Sequence, residues 1–218
     1  ILETGTTDAV VNYSSGSTTS SLTFNYTVSS GEITSRLNYR STNSLSLNGG
    51  TIQDSAGNNA NLTLPVLNAN NSLQGNKSIE IDTLIPQVSS VSCSNPDSTY
   101  GLSSTLNILI NFNKNVIVTG IPQLFLETGV NDGTTTYTSG SGNSTLVFIY
   151  TVAATHTSTD LNYQNTNSLN LNGGTISDNA GNSATLTLPA TGSANSLAGN
   201  KSIVIDTTSP VISYVDTT

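Results

Sequence analysis

Two short loops carry the residues of this chain that could do chemistry. Both have the pattern Asp-x-Ala-Gly-Asn, the first running from Asp54 to Asn58 and the second from Asp178 to Asn182. Calcium takes about six to eight oxygen ligands from carboxylates, backbone carbonyls and Asn side chains, and the glycine lets carbonyls converge. The pattern therefore predicts calcium as a candidate cofactor of these loops. The alternative is that each Asp side chain bonds to its own backbone and only shapes the turn.

A second acid follows each loop and completes the predicted metal site. The chain leaves the first loop along residues 61–65, turns near Gly75 and returns along residues 78–82, so that two reversals place Asp82 beside that loop. The same reasoning places Asp206 beside the second loop. The predicted calcium ligands are Asp54, Asn58, Asp82, Asp178, Asn182 and Asp206.

The residue types that usually carry catalysis are too few for an active site in each half of the chain. His156 is the only histidine and Cys93 the only cysteine. No phosphate-binding loop, zinc motif or nucleophile elbow occurs. We expect His156 to lie in a solvated loop and Cys93 to be a small strand residue without a disulfide partner in the chain. The sequence therefore predicts that the protein is not an enzyme.

The candidate residues recur because the chain repeats itself. The tetrapeptide Leu-Glu-Thr-Gly begins at Leu2 and again at Leu126, and this offset of 124 residues continues without a gap to Asp82 and Asp206. Residues 84–207 form one complete unit. Residues 1–83 match only the last two thirds of that unit, and residues 208–218 match only its first strand.

The first unit has no counterpart of residues 84–124, which include an obvious strand at residues 105–112. Two explanations are open. Either the chain is cut from a longer array, which we favour because the array continues at the C-terminus, or another chain supplies the missing strands. Unpaired edges and apolar side chains predict that residues 1–83 alone are disordered or completed by a neighbouring molecule. The tail at residues 210–216 is the candidate donor.

Alternation of apolar and polar residues predicts strands along the whole chain. It is clearest in residues 22–28, 106–112 and 146–152, and it is typical of antiparallel strands with one buried face. No helix is predicted. Seven or more short strands in each complete unit predict an all-β fold of tandem immunoglobulin-like Greek-key β-sandwiches, with the first unit incomplete. Further strands are predicted at residues 123–127, 134–138, 168–171, 184–188 and 202–206.

Composition narrows the partners and the location. Charged residues make up 8% of the chain, and its formal net charge is −8. The five Lys and Arg residues cannot build a phosphate-tracking patch, so we expect no nucleic-acid partner. No apolar run reaches about 18 residues, so we expect no membrane insertion. For an extracellular chain, the lack of a disulfide pair suggests bacterial secretion rather than an animal cell-surface domain.

The combined motifs of residues 120–207 resemble the immunoglobulin-like repeats of giant bacterial surface proteins and adhesins. The resemblance covers nearly the whole chain. It implies extracellular stalks or filaments that hold a binding tip away from the cell, often with calcium near the unit junctions. Lys114 departs from the pattern, since similar repeats usually carry an acid there. The motifs are Leu-Glu-Thr-Gly from Leu126, Leu-Asn-Leu-Asn-Gly-Gly-Thr-Ile from Leu169, Asp178 with Ala-Gly-Asn, and Ile-Asp-Thr from Ile205 with Pro210.

Three functions remain open from the sequence. We expect a structural stalk segment on the cell surface, whose partners are neighbouring repeats of the same protein. The first alternative is a self-assembling filament subunit, in which copies of the same chain complete one another by β-strand donation. The second is a module that binds glycans or the surface of a host or neighbouring cell. Three tyrosine pairs recur in both copies, which favours core or corner roles over a specialised site: Tyr13/Tyr137, Tyr26/Tyr150 and Tyr39/Tyr163.

Overall fold

The computed structural model describes residues 1–216, and these residues form two compact units. Unit 1 is residues 1–84, and unit 2 begins at Ile85. The predicted all-β class is confirmed, because strands dominate the regular structure and helix is limited to one turn in the described part of each unit. A further strand was predicted in residues 208–218, but residues 208–216 form none, and the last two residues lie outside the described residues.

Unit 1 is made of very short strands joined by turns. The strands pair antiparallel in three separate two-stranded ladders, β1 with β5, β2 with β3 and β4 with β6. Its elements are β1 (Leu2–Glu3), β2 (Tyr13–Ser15), β3 (Thr23–Phe24), β4 (Ile33–Thr34), β5 (Asn38–Tyr39), the helical turn α1 (Leu73–Asn76) and β6 (Ile81–Asp82).

Unit 2 has longer strands and larger sheets. Its elements are β7 (Val88–Cys93), β8 (Ser98–Tyr100), β9 (Thr105–Thr119), β10 (Gln123–Glu127), β11 (Gly133–Ser139), β12 (Asn143–Thr151), β13 (Thr157–Ser158), β14 (Asn162–Tyr163), β15 (Leu169–Asn170), β16 (Thr175–Ser177), the helical turn α2 (Leu197–Asn200) and β17 (Ile203–Asp206).

The main sheet of unit 2 is organised around β9. Its order is β14-β10-β11-β12-β9-β16, with β7 also paired to β9 and β15 to β10, and every pair is antiparallel. A second sheet has the order β13-β17-β8, in which β17 runs parallel to β8. Parallel neighbours need a long crossover instead of a hairpin. The alternation of residues along one strand does not reveal such a crossover.

The burial of β9 follows from its alternating side chains. Leu106, Ile108 and Ile110 have no exposed surface, while Asn107 between them is exposed. Their side chains belong to one core cluster that includes Phe148 of β12. Full burial of an aliphatic side chain stabilises a fold by about 1.5–3 kcal/mol. The strand therefore provides much of the core of unit 2, and it extends beyond the predicted residues 105–112.

Two further predictions about local structure are wrong. Residues 184–188 form no strand and contribute only an isolated bridge at Thr185, because Leu188 N–H donates to the Thr166 carbonyl in a loop. We predicted strands and no helix, but residues Leu197–Asn200 form the helical turn α2. This turn forms because the Ser196 hydroxyl caps it by accepting a hydrogen bond from Gly199 N–H.

Gly140 sets the tight hairpin between β11 and β12. Its φ is +110°, and a Cβ atom there would lie 2.2 Å from the Thr145 carbonyl oxygen. Gly16 has the same role in unit 1, with a φ of +109° and a Cβ position 2.1 Å from the Ser21 carbonyl oxygen. Only glycine avoids both the backbone clash and the cost of a left-handed conformation.

The packing of β9 predicts a sharp contrast between neighbouring side chains. We expect Ile108→Ala to lower the free energy of unfolding of unit 2 by about 2–5 kcal/mol, because the cavity it leaves in the core cannot collapse fully. Ile149→Ala on β12 is the matched control, and it should cost about 1 kcal/mol or less because that side chain is 40% exposed. Urea unfolding followed by circular dichroism measures both losses. Equal losses would contradict the assigned faces.

Candidate functional site

The two predicted metal loops are closed on themselves by hydrogen bonds. In unit 1 the Asp54 carboxylate accepts from Ala56 N–H, from Asn58 N–H and from the Asn58 side-chain amide, at 2.8–2.9 Å. The bond from the Asn58 amide, followed by those from the backbone, holds the pKa of Asp54 below its usual value. This is the turn-shaping role that was the alternative to metal binding.

The matching loop in unit 2 carries an additional cation. Asp178 accepts from Asn182 N–H and from the Asn182 side-chain amide, both at 2.9 Å. The Lys114 ammonium group of β9 lies 2.7 Å from Asp178 Oδ2, and that carboxyl is almost completely buried. Burial acts to raise the pKa of Asp178, but the bonds from Lys114 and Asn182 together outweigh burial and lower it. A lysine therefore neutralises the carboxylate for which we predicted calcium.

The structure brings together only part of the predicted ligand set. Each loop Asp is bonded to the Asn at its end, but Asp206 lies in β17 opposite Thr157, and its carbonyl oxygen is close to Gly101, before the start of β9. Asp178 instead follows β16, which pairs with the far end of β9. The simple strand reversal we expected is replaced by α2 and a parallel strand.

Asp82 has a similar local setting to Asp206. It lies in β6 opposite Ile33, and its carboxylate accepts from Leu84 N–H at 3.0 Å. The Asp206 carboxylate accepts from Thr208 N–H at 2.9 Å. Among the described residues, no group of three or more His, Cys, Asp or Glu side chains is placed to hold a metal ion. Calcium binding stays a prediction.

His156 is not in a solvated loop, so that prediction is wrong. The side chain is 8% exposed, its Nδ1 lies 2.7 Å from the Tyr150 hydroxyl, and the two rings stack at a centroid distance of 5.8 Å. Glu32 occupies the equivalent position in unit 1 and accepts a 2.8 Å hydrogen bond from the Tyr26 hydroxyl. Both residues satisfy a tyrosine hydroxyl, which explains how the repeat accommodates either one.

A wide groove lies in unit 1. It has a volume of about 1320 Å³, and the residues that line it include Leu2, Tyr13, Leu22, Phe24, Leu37 and Ile52. Leu22 and Phe24 are 39% and 40% exposed, although their counterparts at the 124-residue offset, Leu146 and Phe148, have no exposed surface. The same side chains are therefore core residues in unit 2 and groove residues in unit 1. We call this surface the open face.

The open face exists because unit 1 has no strand in the place of β9. In unit 2, β12 pairs with β11 on one edge and with β9 on the other. In the described part of unit 1, β3 pairs with β2 alone, which leaves its second edge free of sheet partners. Residues 51–53 form no strand, whereas their counterpart β16 pairs with β9.

The sequence predicted that unit 1 lacks a partner strand. It did not predict two other features, an ion pair in unit 2 and the local bonds that persist in unit 1. The Lys114–Asp178 ion pair was missed because 64 residues separate its members. A signal was present, since Lys114 stands where the resembling repeats carry an acid. The retention of the loop and hairpin bonds in unit 1 was also missed, because we weighed only the strands that it lacks.

Comparisons with known proteins give no family assignment. No protein-family model matches the chain, and the searches of curated proteins and of solved structures found no significant match. None of the helices in the described part of the chain is long and apolar enough to cross a membrane.

The buried ion pair predicts a strong effect of neutralising Lys114. We expect Lys114→Met to lower the free energy of unfolding of unit 2 by about 3 kcal/mol, because the buried Asp178 carboxylate loses its cation. Lys201→Met is the control and should have a far smaller effect, because its partner Asp97 is exposed and surface pairs contribute little. Urea unfolding at pH 7 measures both variants.

The pH dependence of the parent protein provides a second readout of the same pair. Because the folded-state pKa of Asp178 is lowered, its contribution to stability is present above the unfolded pKa, about 3.9, and is lost as pH falls through the folded value. Lys114→Met should weaken this loss in acid. An unchanged acid profile together with unchanged stability would contradict a stabilising pair.

The calcium prediction is tested separately by thermal unfolding in calcium chloride and in EDTA. A bound calcium ion stabilises the folded state by mass action and raises the Tm. Under that prediction, Asp54→Asn and Asp178→Asn remove the rise for their own units. Equal Tm values in calcium and in EDTA would contradict calcium binding and leave the turn-shaping role of both loops.

Proposed function

We propose that the chain is a structural segment of an extracellular surface protein, built from immunoglobulin-like Greek-key β-sandwich units in series. One observation carries the proposal: several of the polar side chains that recur at the 124-residue offset are bonded within their own units. A site that acts on a substrate would instead present recurring polar groups to solvent.

The recurring bonds fasten loops to the body of each unit. The hydroxyl of Tyr163 donates to the carbonyl of Pro189, and the hydroxyl of Tyr39 donates to that of Pro65. Ser72 and Ser196 cap the equivalent helical turns. Each bond satisfies a polar group that would otherwise be costly to bury. Such groups are expected in a module whose task is to keep its shape.

The side chains closest to catalytic chemistry are used in packing. His156 is bonded to Tyr150, and Cys93 belongs to the core cluster of unit 2. Burial raises the pKa of the Cys93 thiol, which disfavours the reactive thiolate. These placements support a role without catalysis.

The tyrosines of unit 2 that recur in both copies favour a structural role over glycan binding. Tyr137 packs edge to face against Phe148 at a centroid distance of 6.0 Å, and Tyr150 and Tyr163 are almost fully buried. A glycan site needs aromatic faces that are open to a sugar ring. A surface that is low in charge and rich in Ser, Thr and Asn agrees with the proposed extracellular location.

The parallel pair β8–β17 provides a structural reason for load bearing. The chain enters unit 2 near β7 and β8 and leaves it through β17. Tension applied at the two ends reaches β17 directly and β8 through β7, which pairs antiparallel with β9, and it pulls β8 and β17 in opposite directions along their length. The hydrogen bonds of the pair then share the load, instead of breaking one after another as they do in a hairpin.

Single-molecule force spectroscopy tests the proposed function. We expect unit 2, pulled from its ends, to unfold in one step that lengthens the chain by about 40 nm, at about 0.36 nm per residue. The control places the attachment points at Val130 and Thr151, which unzips the β11–β12 hairpin and should need a much lower force. End-to-end resistance no greater than that of the control would contradict a load-bearing role.

A further inference from the structure

The apolar side chains of the open face match one particular strand. In unit 2, Leu146 lies opposite Ile110 and Phe148 lies opposite Ile108 in the pairing of β12 with β9. Leu22 and Phe24 are the equivalents of Leu146 and Phe148. A strand that covers the open face must therefore place branched apolar residues two positions apart, which is the spacing of one strand face.

Two separate segments of unit 1 are available to pair with one added strand. In unit 2, β9 pairs with β12 through its first half and with β16 through its last three residues. The counterparts in unit 1 are residues 19–27 and residues 51–53. One strand of about fifteen residues reaches both, because a strand rises about 3.3 Å per residue. A shorter segment covers only one of them.

One charge of unit 1 is complementary to β9, and a second is complementary to the stretch that precedes β9. Asp54 forms the same closed loop as Asp178, whose ammonium partner Lys114 comes from β9. Lys77 is the counterpart of Lys201, which lies 2.8 Å from Asp97 in the stretch before β9. The ion-pair partners of Asp178 and Lys201 in unit 2 both lie within residues 85–119.

We propose that the open face of unit 1 is a strand-acceptor site for a segment with the sequence of β9, supplied by a polypeptide of the same repeat. The segment binds antiparallel to residues 19–27, with its Ile108 position opposite Phe24 and its Ile110 position opposite Leu22. The Lys114 position then pairs with Asp54. This specificity is independent of the load-bearing role.

The tail at residues 210–216 is a poorer occupant than β9. It aligns with residues 86–92, and therefore with β7, which pairs with β9 and not with β12. The tail also has no lysine for Asp54. Its apolar residues are exposed, with Val211 and Ile212 both at 86%. A tail docked in the manner of β7 needs a β9-type strand in place first.

The test measures binding of a fluorescent peptide of residues 103–121 to the full chain by fluorescence anisotropy. We expect saturable binding with one site. Replacing Ile108 of the peptide by Asp should weaken binding at least about 100-fold, because a charge would be buried in an apolar groove. Asn107→Asp in the peptide adds the same charge on the outward face and should change affinity by less than about threefold.

Variants of the chain locate the site and test the charge match. Phe24→Ser should abolish binding, whereas Ile149→Ser on the surface of unit 2 should not. Lys114→Glu in the peptide should weaken binding about tenfold, and the chain variant Asp54→Lys should restore it. Binding that survives Phe24→Ser, or a missing rescue, would overturn the assigned site or its register.

Disulfide trapping reads the register directly. A peptide with Ile108→Cys should crosslink to a chain with Phe24→Cys, because directly opposite residues have Cα atoms within about 4.4–6.8 Å, as a disulfide requires. Leu22→Cys and Tyr26→Cys should crosslink poorly to the same peptide. Preferred trapping at either of those positions would overturn the register.

A covalent version keeps the test decisive if the peptide is insoluble. Residues 84–124 joined in front of Ile1 present the strand at high effective concentration. Hydrogen exchange of the amides at residues 22–26 should then slow at least about tenfold. Unchanged exchange would overturn the proposal, because no strand would then occupy the open face. The absence of peptide binding, together with self-association that is lost on deleting residues 208–218, would overturn it in favour of the tail as occupant.

Discussion

The coverage of one strand edge by β9 is the constraint on which this structure depends. An uncovered edge exposes backbone N–H and C=O groups, and an uncovered sheet face exposes apolar side chains. In unit 2, β9 covers both the strand edge and the sheet face, because it lies between β7 and β12 and buries Ile108 and Ile110. In unit 1, neither the strand edge nor the sheet face is covered in this way along residues 19–27. Its open face follows from that difference alone, because the side chains involved are equivalent.

Local bonds and long-range pairings respond differently to the lack of this strand. The Asp54 loop and the Gly16 hairpin close through bonds between residues a few positions apart, and both persist in unit 1. The equivalent of the nine-residue β12 is reduced to the two residues of β3, because its extent depends on β9. Turn chemistry is set by nearby residues, whereas a strand requires a partner from elsewhere in the chain.

Charge is sparse in this chain, and its placement follows burial. Asp178 is almost completely buried and is paired with Lys114, whereas Asp54 is exposed and is bonded only within its own loop among the described residues. A buried carboxylate needs a cation or several donors, while water can solvate an exposed one. The identical loop motif therefore serves as half of an ion pair in unit 2 and as a simple turn in unit 1.

The sequence by itself determined the all-β class, the 124-residue repeat, the central strand beginning at Thr105 and the absence, among the described residues of unit 1, of a counterpart of β9 beside residues 22–28. These features depend on period-two alternation and on internal comparison, both of which are written along the chain. Only the tertiary structure decided that Lys114 meets Asp178, that His156 is buried against Tyr150 and that β17 lies parallel to β8. Contacts of this kind join residues that are distant in sequence, or depend on how a loop packs, and composition and spacing do not encode them.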